Sequence, residues 1–473
     1  MLEIDPHRAL LVDLYELTMA AAYFEQQVDC RATFELFVRQ LPPERAFLVA
    51  SGIEDALDYL AHLRFREEDV SFLRSLPVFR NVSSGFFDYL RSFRFAGDVE
   101  AVEEGTLVFA EEPLLQVTAP ILEAQIVETY LLSVVNFETL VASKAARVVR
   151  AARGRGVLEF GTRRAQGPEA GVRAARAAYL GGCVATSNVL AGCRYGIPLA
   201  GTAAHSWTQA FPTERQSFEA LLDTFPDNAV LLIDTYDPLV GAETAATLGR
   251  KIAGVRIDSG DLLEKSCRVR QILDRHGLPE AKIVASGDLN EYKVEALLSQ
   301  GACIDLFGVG TDLATSRDVP ALSVVYKLVE TEFQGRVEYK SKFSEEKAYS
   351  PGRKQVFRFS DGAQYHHDVI ARSHETFSGG TPLLCPVMQR GRRLRSRPRL
   401  QDSRISVLAN LDLLPEPYHA LRNAPPFPVT KSEALQRLLA EVHEQTFGEQ
   451  KSSKQKAESR RQKAESRRQR PKG

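Results

Sequence analysis

The sequence predicts an α/β fold with a parallel barrel at its centre, flanked by a second, β-containing domain. The first observation behind this is a series of four apolar segments, each running straight into a small-residue, acid-rich loop: Val230–Asp237, Gly254–Asp261, Lys282–Asp288 and Ile304–Asp312. Buried parallel strands that alternate with helices carry their carboxyl-end loops on one face, where α/β barrels and open α/β sheets bind ligands. Four such loops, about 25 residues apart, read as the rim of an α/β active site. The second observation is the number of strands. Candidates begin near 157, 183, 198, 230, 254, 282, 304 and 323, a count that favours a barrel over an open sheet. The third is length: 473 residues exceed one simple core and suggest two domains plus extensions.

Taken in order, Asp13–Phe24 reads as a helix that Asp13 can cap, with Leu17, Ala20, Ala21 and Phe24 forming one apolar stripe and Tyr15 lying off it. Residues 33–38 and 97–118 are rich in Val, Phe and Thr and broken by Gly and Pro, so they read as strands. The stretch 121–153 is a long apolar helical segment whose Lys and Arg gather towards its end, as a helix C-terminus prefers. The barrel rhythm then runs to about Glu330, and 340–440 returns to Pro-interrupted sequence expected to pack on the N-terminal domain. The expected boundaries are 1–135, 136–335, 336–446 and a basic low-complexity tail at 447–473. In that tail Gln-Lys-Ala-Glu-Ser-Arg-Arg occurs at 455–461 and again at 462–468. Alanine is the only apolar residue in each repeat, so no coiled-coil seam forms, and a disordered, solvated tail is expected. A basic arm with weak nucleic-acid binding is the other reading of the same charges.

Composition narrows the class. Hydrophobic residues make up 44% and charged residues 26%, as in an ordinary globular protein, and a net charge of −1 steers neither nucleic acid nor membrane. Six scattered cysteines without a Cys-x-x-Cys pair argue against a zinc knuckle or a disulfide framework and for a reducing compartment. The N-terminal residues lack a basic segment followed by an apolar one, and no apolar run has the length of a membrane span, so the expected location is the cytoplasm.

Several constellations carry chemistry. In Glu159-Phe-Gly-Thr-Arg-Arg164 the paired arginines can grip phosphate or carboxylate bidentately and Phe160 can lie against an aromatic ligand; surface arginines paired with acids are the alternative. His205, after small residues at a strand end, is a candidate base, ligand or nucleophile towards phosphate, and no second His at metal spacing supports zinc. Strand alternation sends Arg256 and Asp258 to one side, either to meet a substrate with an anionic group and hydroxyls or to form a structural ion pair. Gly287, Gly308, Gly310 and Thr311 give two loops whose backbone can cradle a monophosphate, while Asp234 and Asp237 add a Mg²⁺ contact. The chemistry alone points to a phosphorylated sugar with Mg²⁺ and leaves transferases, aldolases and isomerases open.

Six blocks together resemble the nicotinate phosphoribosyltransferase family: Asp13–Met19, Phe34–Pro42, Glu159–Gln166, Gly201–His205, Arg256–Asp261 and Phe307–Asp312. The resemblance spans roughly 8–440 and excludes the tail. It implies a type II phosphoribosyltransferase, an irregular α/β barrel with an α/β sandwich domain built from N- and C-terminal segments, acting as a homodimer with shared sites. It further implies that nicotinate and 5-phosphoribosyl-1-diphosphate (PRPP) give nicotinate mononucleotide and diphosphate, the entry to NAD salvage, coupled to ATP hydrolysis through a phosphohistidine. By position, Tyr15 from the partner subunit and Phe160 match the aromatics around the pyridine ring; Arg163 and Arg256 match arginines for nicotinate and PRPP. Asp258, Ser259 and Gly260, with Asp234, match ribose and diphosphate contacts; Asp234 and Asp258 are the expected Mg²⁺ ligands. Gly287, Gly308, Gly310 and Thr311 match the 5′-phosphate loops, and His205 the phosphorylated histidine. Lys342, Lys347, Arg353 and Lys354 resemble a segment that handles phosphate or ATP; a solvated basic turn is the other reading. Ser187 stands where nicotinamide-using relatives carry Asp, which favours the acid over the amide.

Three other functions compete. The nearest is a sister phosphoribosyltransferase using nicotinamide or quinolinate; the tyrosine helix and His205 argue against the quinolinate enzyme, which has no ATP step. A phosphate-binding aldolase or isomerase needs a Schiff-base lysine or a paired acid and base at the strand ends, and these strand ends offer neither. A non-catalytic nucleotide-binding homologue is expected to have lost part of the set Tyr15, Arg163, His205, Arg256 and Asp258, yet all are present.

Overall fold

A computed structural model describes residues 7–343 and 348–447. Its centre is a curled parallel sheet of six strands in the order Ala185–Thr186, Gly156–Glu159, Leu306–Val309, Lys282–Ala285, Gly254–Ile257, Val230–Leu232. Helices Pro168–Leu180, Pro238–Ala246, Leu262–Arg275 and Glu291–Ser299 alternate with these strands. Val255, Ile257, Ile283, Ala285, Phe307 and Val309 are buried in the core between sheet and helices. Such two-sided burial explains why the strands read as short continuous apolar runs.

Two of the eight expected strands fall elsewhere. The one near 198 contributes a single parallel bridge, Thr186 to Leu199. The one near 323 is Val324–Phe333, which leaves the parallel sheet and pairs antiparallel with Arg31–Val38. Among the described residues the parallel sheet is therefore a half-barrel, open between Val230–Leu232 and Ala185–Thr186. The apolar pattern of Val324–Phe333 has no feature that tells a parallel barrel strand from a sandwich strand.

The second domain is built on a seven-stranded antiparallel sheet in the order Arg336–Tyr339, Val324–Phe333, Arg31–Val38, Pro113–Pro120, Asp98–Ala101, Cys385–Gln389, Arg392–Arg393. N- and C-terminal segments thus share one sheet. A further four-stranded sheet contains Lys354–Ser360 and Tyr365–Arg372. The expected helical stretch at 121–153 divides into Ile121–Ile126 and Glu128–Ala151, and the long second piece supplies side chains to the cores of both domains.

The N-terminal helix is Leu14–Glu25. Asp13 stands at its N-cap position but makes no side-chain cap, contrary to expectation; its backbone N–H donates to Thr129 Oγ1 at 3.2 Å. The helix buries Leu17, Ala20 and Ala21, and also Glu16, whose Oε1 accepts the Thr129 N–H at 3.1 Å. Burial pushes the Glu16 carboxyl up to about 8. Phe24 is only partly buried, and the repeated basic tail lies outside the described residues.

Candidate active site

The loops at the carboxyl ends of the parallel strands meet around a cleft of about 250 Å³ lined by Phe160, Arg163, Arg164, Arg256, Asp258, Ser286, Gly287, Asp288, Gly308, Gly310 and Thr311. Each lies on, or just beyond, one of four adjacent strands.

At its floor Arg256 projects from Gly254–Ile257 towards the cleft while Val255 and Ile257 face the helices. Its Nη2 donates to Asp258 Oδ1 at 2.7 Å, Nε to Ser286 Oγ at 2.8 Å and Nη1 to Thr202 Oγ1 at 2.8 Å. Ser286 Oγ in turn donates to Asp258 Oδ1 at 2.5 Å. Burial works against the Asp258 carboxylate, but the Ser286 and Arg256 hydrogen bonds outweigh it and hold its pKa below the usual range. Cation and anion are thus fixed in orientation, which is how a site stabilises developing charge without reorganising.

Asp234 braces the same loop from the next strand. Its Oδ2 accepts the Asp258 N–H at 2.8 Å and the Ser259 hydroxyl at 3.0 Å. Among the described residues its Oδ1 is buried without a hydrogen-bond partner. Nearby Glu214 also keeps a buried, unpartnered Oε1, and burial together with Asp234 and Asp237 pushes its carboxyl up to about 7. The side chain of Asp237 instead caps helix Pro238–Ala246, accepting from Leu239 and Val240, so it is spent on structure.

His205 opens helix His205–Gln209. Nδ1 lies 3.2 Å from Thr235 Oγ1 and Nε2 lies 3.9 Å from Asp258 Oδ2, too far for a hydrogen bond but close enough for attraction to an imidazolium. The phosphate loops are shaped by glycine. A Cβ on Gly308 would fall 2.7 Å from the Phe160 ring, so the glycine lets the ring pack directly against the loop. Gly287 has φ +101°, and a Cβ there would fall 2.1 Å from the Asp258 carbonyl oxygen.

Among the other expected residues, Arg163 is exposed on the turn Thr162–Arg164. Ser187 is exposed beside it, linked through Asn188, whose Nδ2 donates to Thr162 Oγ1 at 3.0 Å. Ser259 and Gly260 are exposed at the helix entry that Asp261 caps. Tyr15 is 46% exposed beside Glu128 and does not line the cleft of its own chain. Among the described residues the basic segment does not gather at the cleft: Lys342 is exposed and Arg353 donates to Glu100 at 2.8 Å, while Lys347 lies outside the described residues. Lys354 is a correction. It is buried inside the sandwich domain, where Nζ donates to Glu35 Oε2 at 3.0 Å, so it is not on a basic phosphate-binding surface. Arg164, the second of the paired arginines, also lines the cleft, and Ser286, Thr202, Thr235 and Asp288 are the additions the structure makes. Ser286 and Asp288 flank Gly287 and were within reach of the sequence; hydroxyls such as Thr202 and Thr235 have no pattern of their own.

Three family models match this chain in order. They are the nicotinate phosphoribosyltransferase N-terminal domain at 10–136, the nicotinate phosphoribosyltransferase family at 156–347, and its C-terminal domain at 376–439. The chain belongs to the nicotinate phosphoribosyltransferase family. It is an enzyme of that family, similar along almost its whole length to relatives that bear the family's name. It is 44% identical to nicotinate phosphoribosyltransferase pncB2 of Mycobacterium tuberculosis over 92% of this chain and 94% of that one. It is 38% identical to the Bacillus subtilis enzyme over 91% and 94%. The crystal structure of human nicotinic acid phosphoribosyltransferase superposes with a TM-score of 0.80 at 30% identity, covering 91% of this chain and 100% of the human one.

Proposed function

We propose that this enzyme joins nicotinate to PRPP, forming nicotinate mononucleotide and diphosphate in NAD synthesis, and that ATP hydrolysis is coupled through phosphorylation of His205. The observation that carries this reading is one cleft lined by the preset Arg256–Asp258–Ser286 group, an aromatic face, Phe160, and the glycine loops of Gly287 and Gly308. A phosphoribosyl donor with an aromatic acceptor needs those three surfaces in one cleft.

Departure of diphosphate leaves an oxocarbenium-like anomeric carbon, which the pyridine nitrogen attacks. Little proton transfer is required, so the protein's work is to position the partners and neutralise charge. Gly287, Gly308, Gly310 and Thr311 receive the 5′-phosphate through backbone N–H groups; Asp258 faces the ribose hydroxyls; Arg256 and Ser259 face the diphosphate. Arg163 pairs with the carboxylate of nicotinate, and Ser187 in place of an acid avoids repelling it. Asp234 fits Mg²⁺, because one buried oxygen is anchored and the other is unclaimed, and this ion typically takes one or two carboxylates plus substrate phosphates. Asp258 completes that pair, and the ion, when bound, supplies charge neutralisation on the leaving diphosphate.

Tyr15 closes the pyridine site of a partner subunit in this reading. Support comes from two exposed apolar patches: Leu11, Leu14, Tyr15 and Met19 on the N-terminal helix and its approach, and Val189, Leu190 and Leu199 beside Ser187. A homodimer that seats one patch on the other covers both. A cytoplasmic setting suits the six free cysteines. Among the described residues no helix is long and apolar enough to cross a membrane.

The test supplies PRPP and Mg²⁺ with nicotinate or nicotinamide, with and without ATP, and measures mononucleotide and ADP. Nicotinate mononucleotide formed faster with ATP, with an acid-labile phosphate on His205, is the expected result. Product from nicotinamide alone would overturn the role given to Ser187. His205→Ala that abolished ATP hydrolysis yet left PRPP affinity and ATP-stimulated synthesis unchanged would end the coupling model.

A further inference from the structure

Beneath the rim, an ionic cluster ties the long helix Glu128–Ala151 to the roots of both phosphate-facing loops. Lys144, on that helix, has 0% exposure. Its Nζ lies 2.7 Å from Glu291 Oε2, 2.9 Å from Asp312 Oδ1 and 2.9 Å from Asp318 Oδ1. Two buried arginines complete the set. Arg147 Nε donates to Glu291 Oε1 at 3.1 Å, and Arg45 Nη2 donates to Asp318 Oδ2 at 3.1 Å. Three cations therefore face three carboxylates. Burial works against the Lys144 ammonium, but Glu291 and Asp318 outweigh it and hold its pKa above that of an ordinary lysine.

The places of the acids in the chain give the cluster its meaning. The loop of Gly287 and Asp288 runs into helix Glu291–Ser299, whose first residue is Glu291 and whose cap is Asn290. The loop of Gly308 and Gly310 runs into helix Thr311–Ala314, whose second residue is Asp312. One buried ammonium thus holds the two glycine loops at a fixed separation from below. Lys144, Glu291 and Asp312 do not themselves line the cleft. Stability alone does not account for the arrangement, because well-packed apolar side chains commonly serve as well as a buried ionic group.

We propose that Lys144 is a positioning residue that, through Glu291 and Asp312, sets the spacing of the two loops receiving the 5′-phosphate of PRPP. The proposal rests on the functional reading above and adds to it a residue outside the cleft. A displaced loop loses phosphate contacts on one substrate only, so the effect falls on PRPP and leaves nicotinate alone.

Lys144→Met removes the ammonium shared by buried Glu291, partly buried Asp312 and Asp318, leaves only Arg147 on Glu291 and Arg45 on Asp318, and is expected to lower stability strongly. The decisive variant is therefore Asp312→Asn, which keeps shape and removes one arm of the tether. The measurements are melting temperature, kcat, the KM of each substrate, and the calorimetric Kd for PRPP without nicotinate. The expected result is PRPP affinity weakened roughly tenfold, with kcat and the nicotinate KM within about twofold and melting close to wild type. Equal loss for both substrates, or a lowered melting temperature with unchanged PRPP affinity, would overturn the proposal. A wild type that binds PRPP but makes no product from nicotinate removes the functional reading alone, and the PRPP affinities still judge the tether. Failure of the wild type to bind PRPP removes both.

Discussion

Arg256 is oriented by three side chains and the Ala203 carbonyl before any ligand arrives, and its geometry is that of a guanidinium fork, not of a point charge. Arg256→Lys keeps the charge but cannot reach Asp258, Ser286 and Thr202 together. Steady-state kinetics are expected to show kcat/KM for PRPP lower by about 10²-fold or more, with melting nearly unchanged. Glu214 makes a pH prediction. Its folded carboxyl sits near 7, above the ordinary value of 4.5, so folding takes up a proton between those limits. The destabilisation is absent below about 4.5, grows as pH rises and is complete above about 7. Glu214→Gln should melt like wild type at pH 4.5 and higher than wild type at pH 8; equal differences at both pH values would refute the assignment. At this scale the sequence was readable where chemistry and spacing coincide, as in Arg256 and Asp258. It was not readable for Lys354, because a lysine turned inwards on Glu35 and one turned outwards on solvent look alike in one dimension.

At the scale of elements, the glycine loops show the clearest link between backbone and function. Gly287→Ala places a Cβ against the Asp258 carbonyl in a left-handed conformation, at a cost of about 1–3 kcal/mol. Thermal melting should record that loss, and the PRPP KM should rise with it because the loop must move away from Asp258. An alanine variant with wild-type melting and kinetics would show that the loop tolerates the shift. The four acid-rich loops were visible because helices and strands alternate at a regular interval. The strand at 324–333 was misplaced for the opposite reason: its partner, Arg31–Val38, lies nearly three hundred residues away, and pairing over that distance leaves no local trace. Asp13 stands at the N-cap position with no side-chain cap, and its backbone N–H is used in the tertiary contact with Thr129.

Across the whole molecule, the two domains share one chain out of order, and buried ion pairs mark where distant segments join. Lys354 with Glu35 is such a join, both side chains only 2% exposed. Lys354→Met leaves Glu35 buried without its partner and should cost about 3–5 kcal/mol by denaturant unfolding, while the folded variant keeps its affinities for PRPP and ATP. A selective loss of ATP binding at unchanged stability would instead restore Lys354 to the phosphate-handling segment. The central claim, that the rim cleft joins nicotinate to a phosphoribosyl donor, is tested most directly by measuring nicotinate mononucleotide made from nicotinate, PRPP, Mg²⁺ and ATP by the wild type and by Arg256→Lys in parallel. Product from the wild type and a large loss in the variant at nearly equal melting temperature are the expected results. No product from the wild type, or equal product from both, would contradict it.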